Sequence, residues 1–365
     1  MTESQPRQLT TEQVLSALKQ VHDPDLKRDI VSLGMIRDVK IEGGRVGFRF
    51  VLTTPACPVR EQLEGQARDA VAALPGVTSV DVQMEASVPS QRSSVDENRR
   101  PIEDVSNVIA VTSGKGGVGK STVSVNLACA LAHLGARVGL LDCDIYGPNI
   151  PIMLGLKGQP MTDGQRIIPL EAYGLKVMSM GLLADGDTPL IWRGPMLHNV
   201  VQQFLYQVNW GQLDYLIADL PPGTGDVQLT MIQSVPLAGG VVVTTPQDVA
   251  LSDARKGIMM FKQVKVDVLG VVENMSYFVC PHCGERSEIF SFGGGERTSE
   301  AFKVPFLGRI PLETEIREGG DSGHPIVVSN ANSPAAEAFL EMAKALAARV
   351  STVNLEGQPT VQIQP

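Results

Sequence analysis

The chain has 365 residues, enough for one large domain and a smaller one with separate cores. A hydrophobic fraction of 43% and a charged fraction of 19% describe an ordinary globular protein. The formal net charge of -9 argues against a general nucleic-acid binder, since neutralising phosphates takes a basic surface. Five cysteines, Cys57, Cys129, Cys143, Cys280 and Cys283, are too few and too odd in number for a disulfide framework. Residues 1–7 lack the apolar core of a signal peptide, and no apolar run reaches the length of a membrane span. A reducing cytoplasm is therefore expected, with neither membrane nor nucleic acid as partner.

In residues 9–21, Leu9, Val14, Leu18 and Val21 fall at helical spacing behind Thr10 or Thr11 as a cap. Asp23-Pro24-Asp25 marks a turn. Residues 36–41 and 45–52 read as strands joined through Glu42-Gly43-Gly44. Residues 59–74 return to helical periodicity through Val59, Leu63, Ala67, Ala70, Val71 and Leu74, and Pro75-Gly76 ends that helix. Val77, Val80, Val82 and Met84 form a last strand. Residues 8–86 are thus expected to be a small α/β domain. The aperiodic, polar stretch 87–104 reads as a linker.

Beyond it the pattern changes. Short apolar runs stand at 108–111, 138–141, 215–218, 241–243 and 268–272, with helical stretches between. Buried parallel strands have this form, so residues 105–350 are expected to be a doubly wound, mostly parallel α/β sheet. Residues 333–350 read as the final helix, and 351–365 as a loose tail.

The first of these strands runs into a glycine-rich loop. Gly114, Lys115, Gly116, Gly117, Val118, Gly119, Lys120 and Ser121 fit G-x-x-x-x-G-K-[ST] between a strand and a helix, and Thr122 continues into that helix. The glycines let backbone N–H groups turn toward phosphate oxygens, and the helix adds its positive end. Lys120 would reach the β- and γ-phosphates, and the Ser121 hydroxyl would bind Mg²⁺. Gly114, Gly116 and Gly119 also fit G-x-G-x-x-G, with Asp142 ending the next strand, but Lys120-Ser121 favours a nucleoside triphosphate over a dinucleotide. Hydrolysis further needs an acid near the metal and a group that positions water. Asp142, Asp144, Asp219 and Asp226 follow strand ends, where an open parallel sheet binds its ligand.

Cys280-Pro281-His282-Cys283 is a C-x-x-C knuckle that supplies two ligands of the four a closed site needs. Three readings remain open on the residues alone. The pair is a redox couple, or part of an intrachain zinc site with His282 or another residue, or half of a Cys₄ site shared by two chains across a two-fold axis.

The loop with its extra Lys115 resembles the deviant phosphate loop of the MinD/ParA/nitrogenase-iron-protein group. That resemblance implies that Lys115 reaches the partner's nucleotide in a homodimer. It implies too that Asp144 positions the attacking water, that Asp219 lies near Mg²⁺, and that Asn274 contacts adenine. Asp142-Cys143-Asp144-Ile145-Tyr146-Gly147-Pro148-Asn149 together with Cys280 and Cys283 resembles the Mrp/ApbC-type iron–sulfur cluster carriers over about residues 105–350. In that family two knuckles bridge a [4Fe–4S] cluster. The expected protein is then a homodimeric, Mg²⁺-dependent ATPase that delivers clusters to apo iron–sulfur proteins in concert with assembly factors. A ParA/MinD-type switch acting on DNA, membrane or a protein partner, with zinc at the knuckle, is the alternative. Asp23-Pro24-Asp25, residues 29–34 and Thr53-Thr54-Pro55-Ala56-Cys57-Pro58 resemble the PaaD-type assembly domain. Cys57 precedes a helix, whose dipole would lower its thiol pKa and suit it to cluster transfer. An inert, buried Cys57 is the other reading. Cys129 reads as core.

Overall fold

The computed structural model describes residues 9–91, 99–144, 147–183, 194–223 and 225–356, with the backbone alone at 194–198 and 226–227. Ile145, Tyr146, Thr224, the Asp226 side chain and the tail beyond 356 lie outside the described residues. The described chain forms two compact units that divide between Pro89 and Ser90, the second running to Asn354.

The small unit opens with α1 (Thr11–Leu18), closed by a capping box in which Thr10 and Gln13 exchange side-chain-to-backbone hydrogen bonds. Strands β1 (Ile36–Glu42) and β2 (Arg45–Leu52) pair antiparallel, with a register shift between Arg37 and Lys40. After α2 (Arg60–Ala72), strand β3 (Ser79–Ala86) pairs parallel with β2. The helical crossover joins two parallel strands, and its Leu63, Ala67 and Val71 are buried in the same core as Phe48 and Phe50.

The large unit is built on eight strands. In chain order they are β4 (Val108–Ser113), β5 (Val138–Asp142), β6 (Leu170–Ala172), β7 (Leu175–Ser179), β8 (Tyr215–Asp219), β9 (Gly239–Thr244), β10 (Val268–Glu273) and, after the short hairpin strands β11 (Phe278–Val279) and β12 (Arg286–Ser287), β13 (Phe306–Arg309). They align as β6-β7-β5-β8-β4-β9-β10-β13, parallel except for the β6/β7 pair at one edge. The earliest strand, β4, stands in the middle, and successive crossovers run first to one side and then to the other. That reversal opens a crevice at the carboxyl ends of β4, β5 and β8. The helices are α3 (Lys120–His133), α4 (Gly194–Tyr206), α5 (Asp226–Ser234), α6 (Asp248–Gln263), α7 (Gly294–Phe302), α8 (Thr314–Ser322) and α9 (Pro334–Leu355). Strands buried on both faces favour apolar residues on either face, which is why β4, β8 and β10 lack alternation until their polar carboxyl ends at Ser113, Asp219 and Glu273. Trp210, Tyr215, Phe261 and Phe339 are fully enclosed, each stabilising the fold by roughly 1.5–3 kcal/mol. No helix among the described residues is long and apolar enough to cross a membrane.

Two expected boundaries move. Part of the expected linker 87–104 belongs to the large unit. The Gln91 side chain donates to the Pro236 carbonyl at 2.8 Å and accepts the Val108 N–H at 2.8 Å, and the Arg100 N–H donates to the Ser234 carbonyl at 3.0 Å. The expected loose tail begins too early at 351: α9 continues to Leu355, with Ser351 and Asn354 buried and the Asn354 amide donating to Asn107 Oδ1 at 2.8 Å.

Candidate nucleotide site and cysteine knuckle

The phosphate loop joins β4 to α3, and close packing explains its glycines. Gly117 and Gly119 have φ of 80° and 78°, the left-handed region that glycine adopts without strain. A Cβ on Gly119 would lie 2.2 Å from Asn274 Nδ2, and one on Gly114 would lie 2.2 Å from the Asp253 carbonyl carbon in α6. A Cβ on Gly116 would meet nothing, so that side of the loop is open to a ligand. Val118 is buried, and its carbonyl accepts the Asn274 amide at 2.9 Å. Lys115 is half-buried.

Three donors converge on Asp219, which is fully buried at the end of β8. Lys120 Nζ lies 2.6 Å and Ser121 Oγ 2.7 Å from its Oδ2, and Ser124 Oγ lies 2.6 Å from its Oδ1. Asp142, at the parallel position on β5, accepts the Ser179 hydroxyl at 2.8 Å and the Asp144 N–H at 3.0 Å. Burial, followed by the neighbouring Asp219 carboxylate, pushes its carboxyl up to about 7. Asp144 is half-buried and accepts the Gly147 N–H at 3.3 Å. The loop, Thr122, Asp144 and Asn274 line a cleft of about 550 Å³ together with Pro311, Leu312 and Ile316. The structure thus brings together Lys120, Ser121, Asp144, Asp219 and Asn274. The oxygen donors Ser121, Asp219 and Asp142 are a set that suits a hard cation such as Mg²⁺. Asn274, expected at adenine, faces the cleft while its amide nitrogen holds the loop backbone.

The cysteine pair lies on the β11/β12 hairpin. The Cys280 N–H donates to the Glu285 carbonyl at 2.9 Å, and the Gly284 N–H donates to the Cys280 carbonyl at 2.8 Å. Cys280 is half-buried and Cys283 exposed. The Cys283 and His282 N–H groups, and then the Cys283 thiol, hold the Cys280 thiol below its ordinary value. Among the described residues no group of three or more His, Cys, Asp or Glu side chains is placed to hold a metal. Beneath the hairpin the Arg286 guanidinium lies between the Tyr277 and Phe292 rings, 4.2 and 4.4 Å from their centroids.

The remaining cysteines part from one expectation. The Cys57 thiol is pushed up, not down. Its burial against the small-unit core outweighs the Val59 N–H, and Asp23 and Asp25 add to the rise. Cys129 is core, its thiol pushed up to about 12 by burial. Burial likewise raises Cys143. Sequence reasoning missed Ser124, Ser179 and Glu273. Glu273 is fully buried beside Asn274, and its one signal was the Gly293-Gly294-Gly295 triplet that packs against it.

A central-strand phosphate loop in a doubly wound sheet, with acids at neighbouring strand ends, defines a P-loop NTPase. A family profile described as ParA, NUBPL iron-transfer P-loop NTPase, matches residues 104–347, and one described as iron-sulfur cluster assembly protein matches residues 11–82. The chain belongs to this family of iron-transfer P-loop NTPases. It is 56% identical over 353 residues to an iron-sulfur cluster carrier protein of Synechocystis, covering 95% of this chain and 99% of that one. It is 47% identical over 348 residues to a protein of the same name from Deinococcus radiodurans, covering 95% and 97%. A solved nucleotide-binding protein of Archaeoglobus fulgidus in complex with ADP is 39% identical, with a TM-score of 0.57 over 65% of this chain and 93% of that one. The septum site-determining protein MinD of Pyrococcus horikoshii, at 24% identity and a TM-score of 0.50 over 65% and 94%, shares the fold.

Proposed function

We propose that this chain is a cytoplasmic, ATP-hydrolysing carrier that holds a [4Fe–4S] cluster between the knuckles of two protomers and passes it to apoproteins. The observation that carries the proposal is the Cys280–Cys283 hairpin, which offers two accessible thiols, one of them drawn toward thiolate, and no further ligand among the described residues. Two such hairpins supply the four thiolates of a cluster. The names of the relatives support the cargo, and the ADP complex of the Archaeoglobus protein supports the nucleotide.

At the nucleotide, backbone N–H groups of 116–121 receive the phosphates, and Lys120 leaves Asp219 for the β- and γ-oxygens. The Ser121 hydroxyl, with Asp219 close by, would hold Mg²⁺, which would supply charge neutralisation at those phosphates. Asp144 orients the attacking water, and Lys115 reaches the partner's nucleotide. Movement of the segments at Asp144 and Asp219 then alters the dimer face that bears the cluster.

Anaerobic reconstitution of the full chain tests the proposal. About four irons and four sulfides per two chains, with visible charge-transfer absorption, are expected, and both should vanish in the Cys280→Ala/Cys283→Ala variant. Absorption that survives in the variant overturns the ligand assignment. Zinc without sulfide in the untreated protein supports the MinD-like switch instead.

A further inference from the structure

We infer that Glu273 is a positioning residue that fixes the cysteine knuckle in place. Strand β10 ends at this side chain, which is fully buried. Its Oε1 accepts the Ser276 hydroxyl at 2.6 Å and the Gly293 N–H at 3.0 Å, and its Oε2 accepts the Gly295 N–H at 2.6 Å. Ser276 begins the excursion that carries Cys280 and Cys283, and Gly293 ends it. Both feet of that excursion therefore stand on one carboxylate. The positive N-terminal end of α7 and the Arg309 guanidinium, whose Nε is 3.9 Å from Oε1, offset the buried charge. Glycine is required for the approach. Gly293 has a φ of 73°, a Cβ on Gly295 would lie 3.0 Å from Glu273 Cβ, and one on Gly294 would lie 2.4 Å from Leu251 Cδ1 in α6. The adjacent Asn274 grips the Val118 carbonyl of the phosphate loop, so neighbouring side chains at one strand end hold the knuckle and the nucleotide loop.

A helix cap alone would hold only the returning end of the excursion, whereas a clamp on both feet fixes the hairpin between them, in which the Cys280 and Gly284 N–H groups are paired. The inference takes its importance from the reading of Cys280 and Cys283 as cluster ligands, but its test needs no cluster.

The test is hydrogen–deuterium exchange of peptides spanning residues 277–290, read by mass spectrometry on the full, cluster-free chain at a single pH. In Glu273→Gln an amide NH₂ replaces one acceptor and faces a glycine N–H. Exchange at the hairpin amides, the Cys280 and Gly284 N–H groups among them, is expected to speed up by about tenfold, while peptides of the small unit keep their wild-type rates. Affinity for a fluorescent ADP analogue should stay within about twofold in this variant, as a residue outside the phosphate site requires. Glu273→Asp, which keeps the carboxylate, should restore part of the protection. Ser276→Ala, which removes one hydrogen bond, should loosen the hairpin less and serves if Glu273→Gln does not fold. Unchanged exchange in a folded variant overturns the inference, and so does a loss of ADP affinity as large as the gain in exchange. Should exchange rise while reconstitution yields no iron, the cluster reading falls and the positioning role stands.

Discussion

Asp142 and Asp219 lie side by side in register at the ends of β5 and β8, yet Lys120 Nζ contacts Asp219, while among the described residues the buried Asp142 has only the Ser179 hydroxyl and the Asp144 N–H. The consequence is a buried Asp142 carboxyl that stays protonated up to about pH 7. Its folded value is raised above the unfolded one, so its contribution to stability is complete below about pH 4 and is lost as pH rises through about 7. Nucleotide-free protein should therefore lose stability across that window, with this group supplying a slope of up to about 1.4 kcal/mol per pH unit. Denaturant titrations at stepped pH should show a flatter dependence in Asp142→Asn, and an identical dependence in both proteins would contradict the assignment. Lys120, Ser121 and Asp219 were legible in the sequence because phosphate chemistry fixes their spacing and their place at strand ends. Glu273 was not, since an acid at a strand end looks like any solvated charge until the returning chain closes over it. Of the two readings of Cys57, the lowered thiol fails because its burial against the small-unit core, which the sequence does not display, outweighs the N–H at the helix start.

Among the elements, the five strands with unbroken apolar runs were readable, because burial on both faces leaves no room for polar residues. Strand β7, with Lys176 between apolar neighbours, and the four-residue β13 with its Gly308 were missed. Each lies toward an edge of the sheet, where burial is incomplete and the pattern weakens. The end of α9 was placed too early because Ser351, Thr352 and Asn354 are polar and look like a tail. They are polar for a reason within the fold: Asn354 meets Asn107 at the base of β4. Ending the chain at Val350 should thus lower stability by about 1–3 kcal/mol through the buried groups left unpaired. A chemical-denaturation midpoint equal to that of the full chain would show that this last turn contributes nothing.

For the whole molecule, the proposed sharing of one cluster by two knuckles would make assembly and cargo one equilibrium. Cluster-loaded protein should sediment as a dimer and return to monomer once a chelator strips the iron, while Cys280→Ala/Cys283→Ala should remain monomeric under the same anaerobic conditions. Loaded protein that sediments as a monomer would place all the ligands within one chain. The pairing of Asn107 with Asn354 has a further bearing, on synthesis. The two residues are 247 positions apart in the chain. At the usual 5–20 residues per second, a ribosome takes roughly 12–50 s to pass from one to the other. For about the first half of that interval β4, apolar on both faces, is a nascent strand whose neighbours β8 and β9 are still being made, and its closing helix follows only at the end. The small unit is complete before β4 emerges. The large unit is therefore expected to be the later of the two to fold.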